Sequence, residues 1–377
     1  MRKITYGFSL ILVFMVPWED SVSVATIGSL AKVMGIIVAG FWIITILFEG
    51  RFRKPHPFHI FVLLFYLWNT VTIFWSPYKD FSMQRIKTYA QIFLLILILW
   101  EMYQKPTDLI SALQSYVLGA FILIVSSINN YVNGNVSVAY EGRYSATGVN
   151  AVDLTLILIL GLPVALYLFF VAIKEKKSIL LKFLNLAYIP LAVFSILLSG
   201  SRTSLIAIIP FCIYIAATKQ ISFQGKLIVF MTLILSGLSL LPFLPHSVIA
   251  RLGTIGESIG SADLGGRVGL WEMAVTAWSK HPLAGIGGGV LDQTIGSAAH
   301  NTFLSVATET GSIGFVLFLL ILGTVIYVAV KLPRNTSELW LVIFATWSIG
   351  VLSLSWEFRK ITWIILSFAI IESSFEN

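Results

Sequence analysis

The stretch SAAHNTFLSVATETGSIGFVLFLLILGTVIYVAV, residues 297–330, decides the fold of this chain. From residue 310 onward it has no charged side chain, and about twenty such residues cross the hydrocarbon core of a bilayer as a helix. The apolar run is preceded by His300 and Asn301, an imidazole and an amide. The stretch therefore predicts a transmembrane helix with a polar and chemically capable start.

The composition of the whole chain also indicates a membrane protein. Of 377 residues, 57% are hydrophobic and 11% are charged, whereas soluble domains carry about 25% charged residues. The single cysteine, Cys212, excludes an internal disulfide framework. The predicted fold class is an all-α polytopic membrane protein, with residues 1–377 forming a single integral membrane domain.

Scanning for apolar runs of sufficient length predicts about twelve transmembrane helices. These runs are approximately 4–18, 25–48, 57–76, 88–102, 107–128, 149–173, 180–199, 203–218, 226–245, 299–330, 338–354 and 358–373. Residues 246–298 form the one long connection, rich in Gly and Ser, with a helix predicted near 267–280. A loop this long among short connections is more often functional than not.

The basic residues predict which helix ends face the cytoplasm. With the N-terminus inside, Lys and Arg collect in short cytoplasmic loops, for example at 51–54 and 174–182, as the positive-inside rule expects. This distribution explains the formal net charge of +7 without nucleic acid as a partner. The same orientation makes 246–298 a large periplasmic loop.

Four side chains with useful chemistry fall on that external side: Arg143, Arg202, Arg267 and His300. Arginine stays charged and binds phosphate bidentately, so three arginines at a membrane surface indicate an anionic ligand such as a lipid pyrophosphate. A neutral imidazole can take a proton from a hydroxyl near neutral pH. Plainer interpretations also exist: a histidine at a helix start is usually a cap or interface residue, and an external arginine usually anchors head groups.

A metal site is not predicted. The external carboxylates, among them Asp263, Asp292 and Glu309, are scattered along the sequence. His300 has no second ligand at helical spacing, which argues against zinc.

Four motifs occur in a fixed order along the chain. In HNTFLSVATETGS, His300 is followed by Asn301, then by nine residues, and then by Gly311. The others are GRYSATGVNAVDL with Arg143, Gly148, Asn150 and Ala151; LLSGSRTSL with Arg202; and GGRVGLWEMAVTAWSKHPLAGIGGG with Arg267, Trp271, Pro282, Gly285 and Gly287. Together they resemble the O-antigen ligase and polymerase superfamily of bacterial membrane glycosyltransferases.

The resemblance implies about twelve helices with a large periplasmic loop, in the bacterial inner membrane. It also implies transfer of a glycan from an undecaprenyl-pyrophosphate carrier to an acceptor hydroxyl, without a metal or a cofactor. In this scheme His300 is the general base, Arg202 and Arg267 bind the pyrophosphate, and Arg143 assists them. Asn301 orients His300 or caps the helix.

Three functions remain open at this point. A ligase would attach the glycan to a different molecule such as lipid A-core, and this alternative is favoured. A polymerase would extend another lipid-linked repeat unit of O-antigen or exopolysaccharide. A transporter of lipid-linked glycans is disfavoured because transporters keep ionisable groups at mid-membrane, whereas the predicted spans hold little beyond Lys32 and Asp153.

Overall fold

The computed structural model describes residues 1–24, 28–136, 142–219, 221–253 and 267–376. Within them the chain is mostly helical. The helices are α1 (Arg2–Met15), α2 (Leu30–Glu49), α3 (Pro57–Val71), α4 (Lys79–Met102), α5 (Pro106–Val132), α6 (Ala151–Lys174), α7 (Ile179–Leu198), α8 (Arg202–Ala207), α9 (Ile209–Ala217), α10 (Phe223–Leu240), α11 (His246–Gly253), α12 (Val268–Lys280), α13 (Leu291–Ile295), α14 (Thr302–Lys331), α15 (Arg334–Val351) and α16 (Lys360–Ser373). Short 3₁₀ turns follow α1, α3 and α10, at Val16–Trp18, Thr72–Phe74 and Leu241–Phe243. Before α2, two short strands pair antiparallel: β1 (Ser23–Val24) and β2 (Gly28–Ser29).

Within the described ranges, six helices are long and apolar enough to cross a membrane. They are α2, α3 with its 3₁₀ extension, α5, α6, α7 and α14. The predicted all-α, multi-pass membrane protein is confirmed. The count of about twelve spans is not confirmed and stays a prediction, because α1 and α16 have only 14 residues each, and the run expected at 203–218 forms two shorter helices, α8 and α9.

The segment 246–298 is not an unstructured connection. It contains α11, α12 and α13, while residues 254–266 lie outside the described part of the chain. The helix predicted near 267–280 is confirmed as α12. Whether this segment forms a periplasmic loop stays a prediction.

Helix α6 is central in the bundle. In its most apolar window 72% of the residues are buried, compared with 28% for α2. A Cβ atom at Gly161 would lie 2.1 Å from the hydroxyl of Tyr188, so the glycine gives room for Tyr188 to donate a 3.0 Å hydrogen bond to the carbonyl of Leu158. Such bonds satisfy polar groups where water is absent. The middle of α6 is therefore packed closely against α7 inside the protein.

Helix α14 is interrupted at Gly311, where φ is 66° and ψ is −172°. The break leaves carbonyls of the preceding turn without helical partners. The carbonyls of Thr308 and Glu309 instead accept the N–H groups of Ile286 and Gly287, each at 3.0 Å. A Cβ atom at Gly311 would lie 2.2 Å from the carbonyl oxygen of Leu283. The glycine-rich stretch 285–289 therefore packs against the break and supplies the hydrogen-bond donors that the helix lacks there.

The part of α14 before the break, residues 302–310, is thus a separate short helix, here called the half-helix or the first half of α14. Its N-cap is Asn301 and its last residue precedes Gly311. The spacing between Asn301 and Gly311 in the sequence motif is the length of this half-helix. Its N-terminus lies at the same end of the bundle as the N-termini of α6 and α8, and we call this end the histidine end.

The opposite end of the bundle, here the Arg53 end, is closed by its own ion pairs. Arg2 binds Glu49 at 2.6 Å and Glu101 at 3.1 Å. The guanidinium of Arg53 lies 3.7 Å from the ring centroid of Trp100 and donates to the Trp100 carbonyl at 2.7 Å. These contacts tie α1, α2 and α4 together.

Candidate active site

His300 stands directly before α14 in a left-handed backbone conformation, with φ of 49°. Residues other than glycine adopt this conformation at a cost, so neighbouring contacts must hold it. The indole of Trp271 donates to the carbonyl of Ala299 at 3.1 Å. The hydroxyl of Thr302 donates to the carbonyl of Leu354 at 2.8 Å. The residues on both sides of His300 are fixed in this way.

Asn301, and not His300, caps the half-helix. The Oδ1 atom of Asn301 accepts the N–H of Leu304 at 3.1 Å, which satisfies one of the donors left free at a helix start. The His300 ring is half-buried, and within the described part of the chain it makes no hydrogen bond. The imidazole is therefore available to a ligand.

The surroundings of His300 favour the neutral imidazole. Burial lowers the pKa of His300 below its usual value of 6.5, and the positive charge of Arg267 lowers it further. The carboxylates of Asp292 and Asp153 act in the opposite direction with smaller effects. A histidine that is neutral at pH 7 can accept a proton.

Arg267 precedes the first turn of α12, and its carbonyl accepts the N–H of Trp271 at 3.0 Å. Helix α12 lies along the first half of α14, where the hydroxyl of Thr308 donates to the carbonyl of Ala274 at 3.1 Å. This packing brings Arg267 close enough to His300 for its charge to act on the imidazole pKa. Two of the predicted site residues therefore share one location.

Arg143 and Arg202 both lie at the turn between α7 and α8. Arg143 is 4% exposed, and its Nε donates to the carbonyl of Ser199 at 2.6 Å. Gly200 follows with φ of 58°, and Arg202 is the first residue of α8. Arg143 thus supports the turn from which Arg202 begins, and its Nε is engaged with the protein itself.

The N-terminus of α6 connects these two locations. Thr155 of α6 is hydrogen-bonded to Ser204 of α8, two residues after Arg202. Two residues earlier, the carboxylate of Asp153 accepts the indole N–H of Trp356 at 2.7 Å and a guanidinium N–H of Arg359 at 2.9 Å. Asp153 also acts electrostatically on His300. All four predicted residues with charge or base chemistry therefore belong to the histidine end.

Arg359 extends this network toward α1. Its second guanidinium nitrogen binds Asp20 at 2.6 Å, and Lys360 pairs with Glu19. Gly148, with φ of 75°, packs so closely that a Cβ atom there would lie 2.5 Å from the carbonyl oxygen of Asp20. The motif around 143–150 is thereby held against the loop after α1.

A buried ion cluster was missed by sequence reasoning. Arg85 of α4 binds Glu357 at 2.9 Å and lies 3.9 Å from Glu309 of α14. The other carboxylate oxygen of Glu309 accepts the N–H of Leu291 at 3.2 Å. In the sequence Glu309 is one of several scattered carboxylates, and only the tertiary fold brings it together with Glu357 at one arginine. The cluster links α4, the broken helix and the loop before α16.

The structure thus brings His300 beside Arg267 and Arg143 beside the turn that carries Arg202, while Asn301 binds its own helix. The catalytic and binding roles of these five residues stay predictions. Among the residues that the structure describes, no group of three or more His, Cys, Asp or Glu side chains could hold a metal ion.

Two comparisons with known proteins bear on this site. The family model of the O-antigen ligase, Wzy_C, matches residues 186–319, a range that includes Arg202, Arg267, His300 and Gly311. The exopolysaccharide production protein ExoQ of Rhizobium meliloti (strain 1021) is 24% identical over 317 residues, covering 78% of this chain and 70% of ExoQ. Both comparisons support the superfamily of O-antigen ligases and polymerases, and with it a role of this multi-pass membrane protein in polysaccharide biosynthesis.

Proposed function

We propose that this protein transfers a glycan from an undecaprenyl-pyrophosphate carrier to an acceptor hydroxyl, at the periplasmic face of the bacterial inner membrane. The observation that carries the proposal is the arrangement of His300. Its imidazole is half-buried, without a hydrogen bond in the described part of the chain, next to Arg267 and at a helix N-terminus. This environment suits a general base that works beside an anionic donor.

In the proposed reaction the acceptor hydroxyl attacks the anomeric carbon of the lipid-linked sugar. Its proton passes to the neutral imidazole of His300, and the bond between the anomeric carbon and the pyrophosphate oxygen breaks with its electron pair on that oxygen. The fixed positive charges of Arg202 and Arg267 stabilise the negative charge that develops there. Arg143 holds the turn that carries Arg202, and Asn301 fixes the helix start that carries His300.

The charge of the leaving group is thus offset by guanidinium groups, and the proposal assigns no step to a metal. The substrates are the undecaprenyl-pyrophosphate-linked glycan and an acceptor such as lipid A-core or another glycan, both presented within the membrane lipids. A ligase-like reaction is the first candidate. Polymerisation of lipid-linked repeats is the second, and it is favoured by the similarity to a protein named for exopolysaccharide production.

A transfer assay in proteoliposomes tests the proposal. Purified protein is given a defined undecaprenyl-pyrophosphate glycan and candidate acceptors, with and without EDTA. We expect transfer by the wild type in both conditions and none by His300→Ala. Loss of transfer in EDTA that Mg²⁺ restores would contradict the arginine mechanism, and an active His300→Ala protein would remove His300 from catalysis.

A deletion strain separates the two candidate reactions. Without a ligase, polymerisation continues, so long glycans accumulate on the carrier lipid. Without a polymerase, single repeat units accumulate instead. Gel analysis of the carrier-linked glycans distinguishes these outcomes.

A further inference from the structure

A groove separate from the arginines and His300 runs between α1, α2 and α4. Its volume is about 390 Å³, and its apolar lining includes Leu12, Gly35, Gly40, Ile43, Leu94 and Ile98. Ile36 and Ile43 on its rim are 62% and 50% exposed, and α2 is mostly unburied. In a membrane such a surface faces lipid, so the groove opens to the hydrocarbon core.

The groove has a basic mouth at the histidine end. Lys32 and Lys360 both line it, and Lys87 lies one helical turn before Gln91, another lining residue, on the same face of α4. Lys360 is paired with Glu19. Lys32 and Lys87 form no ion pair within the described residues. Unpaired lysines beside hydrocarbon are costly, and an anionic head group would compensate them.

The dimensions fit a single lipid chain. From Lys32 to Ile43 the groove follows eleven residues of α2, or roughly 16 Å at 1.5 Å per residue, about half of the ~30 Å hydrocarbon core. Its volume lies near the lower limit of the roughly 300–1,000 Å³ of ligand pockets. It therefore accommodates one hydrocarbon chain better than the paired chains of a diacyl lipid.

We propose that this groove binds a second polyprenyl phosphate lipid, with its phosphate at Lys32 and Lys87 and its chain along α2 toward Ile43. The choice of a polyprenyl lipid, and its role as the carrier of the acceptor, rest on the second candidate of the proposed function, the polymerisation of lipid-linked repeats. The mouth at Lys360 adjoins Arg359, which binds Asp153 beside His300. An acceptor on this lipid would approach His300 from the side of α1 and α4, whereas Arg202 lies on α8, which packs against α6 and α15.

Photo-crosslinking tests the binding directly. The probe is a short-chain polyprenyl phosphate with a terminal diazirine, added to the full-length protein in detergent, and labelled peptides are mapped by mass spectrometry. We expect labelling of α2 at 36–43 or of α4 at 94–98. Gly35→Leu should fill the groove without a clash, since a Cβ atom there meets nothing within 4 Å. It should reduce labelling on the order of tenfold, because most of the apolar contact is lost.

Gly323→Leu is the matched control, since its Cβ atom also meets nothing within 4 Å and Gly323 lies outside the groove. It should label like the wild type, whereas Lys32→Gln with Lys87→Gln should reduce labelling. Equal labelling of the two glycine variants would overturn the proposal. So would competition by dioleoyl phosphatidylglycerol as effective as that by unlabelled polyprenyl phosphate, because the groove would then hold an ordinary phospholipid.

Kinetics test the role of the occupant. In the transfer assay Gly35→Leu should raise KM for a lipid-linked acceptor and leave KM for the donor unchanged, and the reverse pattern would overturn the acceptor role. Labelling itself does not require transfer. A wild-type protein that labels in the groove but transfers no glycan would therefore refute the proposed function and leave the lipid site standing.

Discussion

Histidines stand at helix starts at both ends of the bundle, but they are used differently. At the Arg53 end, the Nδ1 atom of His56 accepts the N–H of Phe58 at 3.2 Å, and Nδ1 of His59 accepts the N–H of His56 at 3.1 Å. Both rings thus accept backbone N–H groups at the start of α3. At the histidine end Asn301 performs the capping, and the ring of His300 serves no described group of the protein.

The arginines show a related contrast. Arg53 stacks on Trp100 and binds its carbonyl, so it stabilises the fold. Arg267 lies beside a histidine whose pKa its charge lowers, an arrangement that destabilises the charged imidazole. Residue type alone therefore does not separate structural from functional groups. What separates them is whether the side chain binds the protein itself, as His56 and Arg53 do, or is left for a ligand. Substitutions at the two ends can test this distinction.

The largest expected effect is that of His300→Ala. Loss of a general base costs about 10²–10⁴-fold in rate, while thermal stability should stay close to that of the wild type. The matched variant His56→Ala should show the opposite: near-normal kcat and a stability loss of about 0.5–2 kcal/mol from the missing cap. Transfer rates and melting curves measure both. Similar kinetic damage in the two variants would refute the contrast between the ends.

Arg85→Met should cause the largest loss of stability. It leaves Glu309 and Glu357 buried without their cation, and breaking a buried pair costs about 3–5 kcal/mol. Arg51→Met at the Arg53 end is the control, because Arg51 is 72% exposed and pairs with Glu49 at 3.5 Å, so its removal should have little effect. Denaturation midpoints compare the two. Adding Glu357→Gln to Arg85→Met should recover part of the loss, and no recovery would contradict an electrostatic cause.

Arg202→Lys and Arg267→Lys should slow transfer on the order of ten- to a hundredfold, less than the hundred- to thousandfold cost of removing an electrostatic donor. Lysine keeps the charge but not the planar fork that binds phosphate bidentately. Arg53→Lys should leave the rate unchanged. The measurement is kcat/KM for the donor in each variant. Unchanged values in both Arg202→Lys and Arg267→Lys would exclude these two arginines from pyrophosphate binding.

Asn301→Ala should destabilise the protein by about 0.5–2 kcal/mol and reduce activity by displacing His300. Asn301→Ser restores a capping oxygen and should restore both quantities. Melting curves and transfer rates separate the two roles considered for Asn301. If Asn301→Ser regained stability but stayed inactive, the amide would act on the substrate itself.

The smallest expected effect is a shift in pH dependence. Because His300 must be neutral and its pKa lies below 6.5, transfer should be constant above that pH and fall in more acidic solution. Arg267→Gln removes a charge that lowers this pKa, so the acidic limb should move to higher pH. A profile of kcat/KM against pH for both proteins, with Lys280→Gln as a control, measures the shift. An unmoved limb would mean that Arg267 does not act on the base.

The sequence predicted the features that depend on local composition and spacing. The apolar runs, the helix start at His300 and Asn301, and helix α12 were all predicted from residues close together in the chain. The interruption of α14 was not, because the polar residues around Gly311, such as Glu309 and Ser312, are equally compatible with a continuous helix whose first turns project from the bilayer. Only the approach of the backbone around Leu283 and Gly285 shows why a side chain has no room at Gly311.

The candidate site was predicted only as separate residues. The sidedness of the loops indicated that Arg143, Arg202, Arg267 and His300 share one face. Their pairing depends on contacts over long separations, such as Arg143 with Ser199. The cluster of Arg85, Glu309 and Glu357 could not be predicted at all. Residue 85 is more than 200 positions from the two glutamates, and no local pattern indicates that the fold brings them together.

In the broken helix, the number of residues between Asn301 and Gly311 sets the orientation of His300. One end is fixed by the cap of Asn301 and the other by the backbone bonds of Thr308 and Glu309 to the glycine-rich loop. An α-helix turns roughly 100° and rises about 1.5 Å per residue. Deleting a single residue within this half-helix would therefore rotate the imidazole roughly a quarter-turn away from Arg267. The number of residues between the two ends is thus as much a part of the site as their identity.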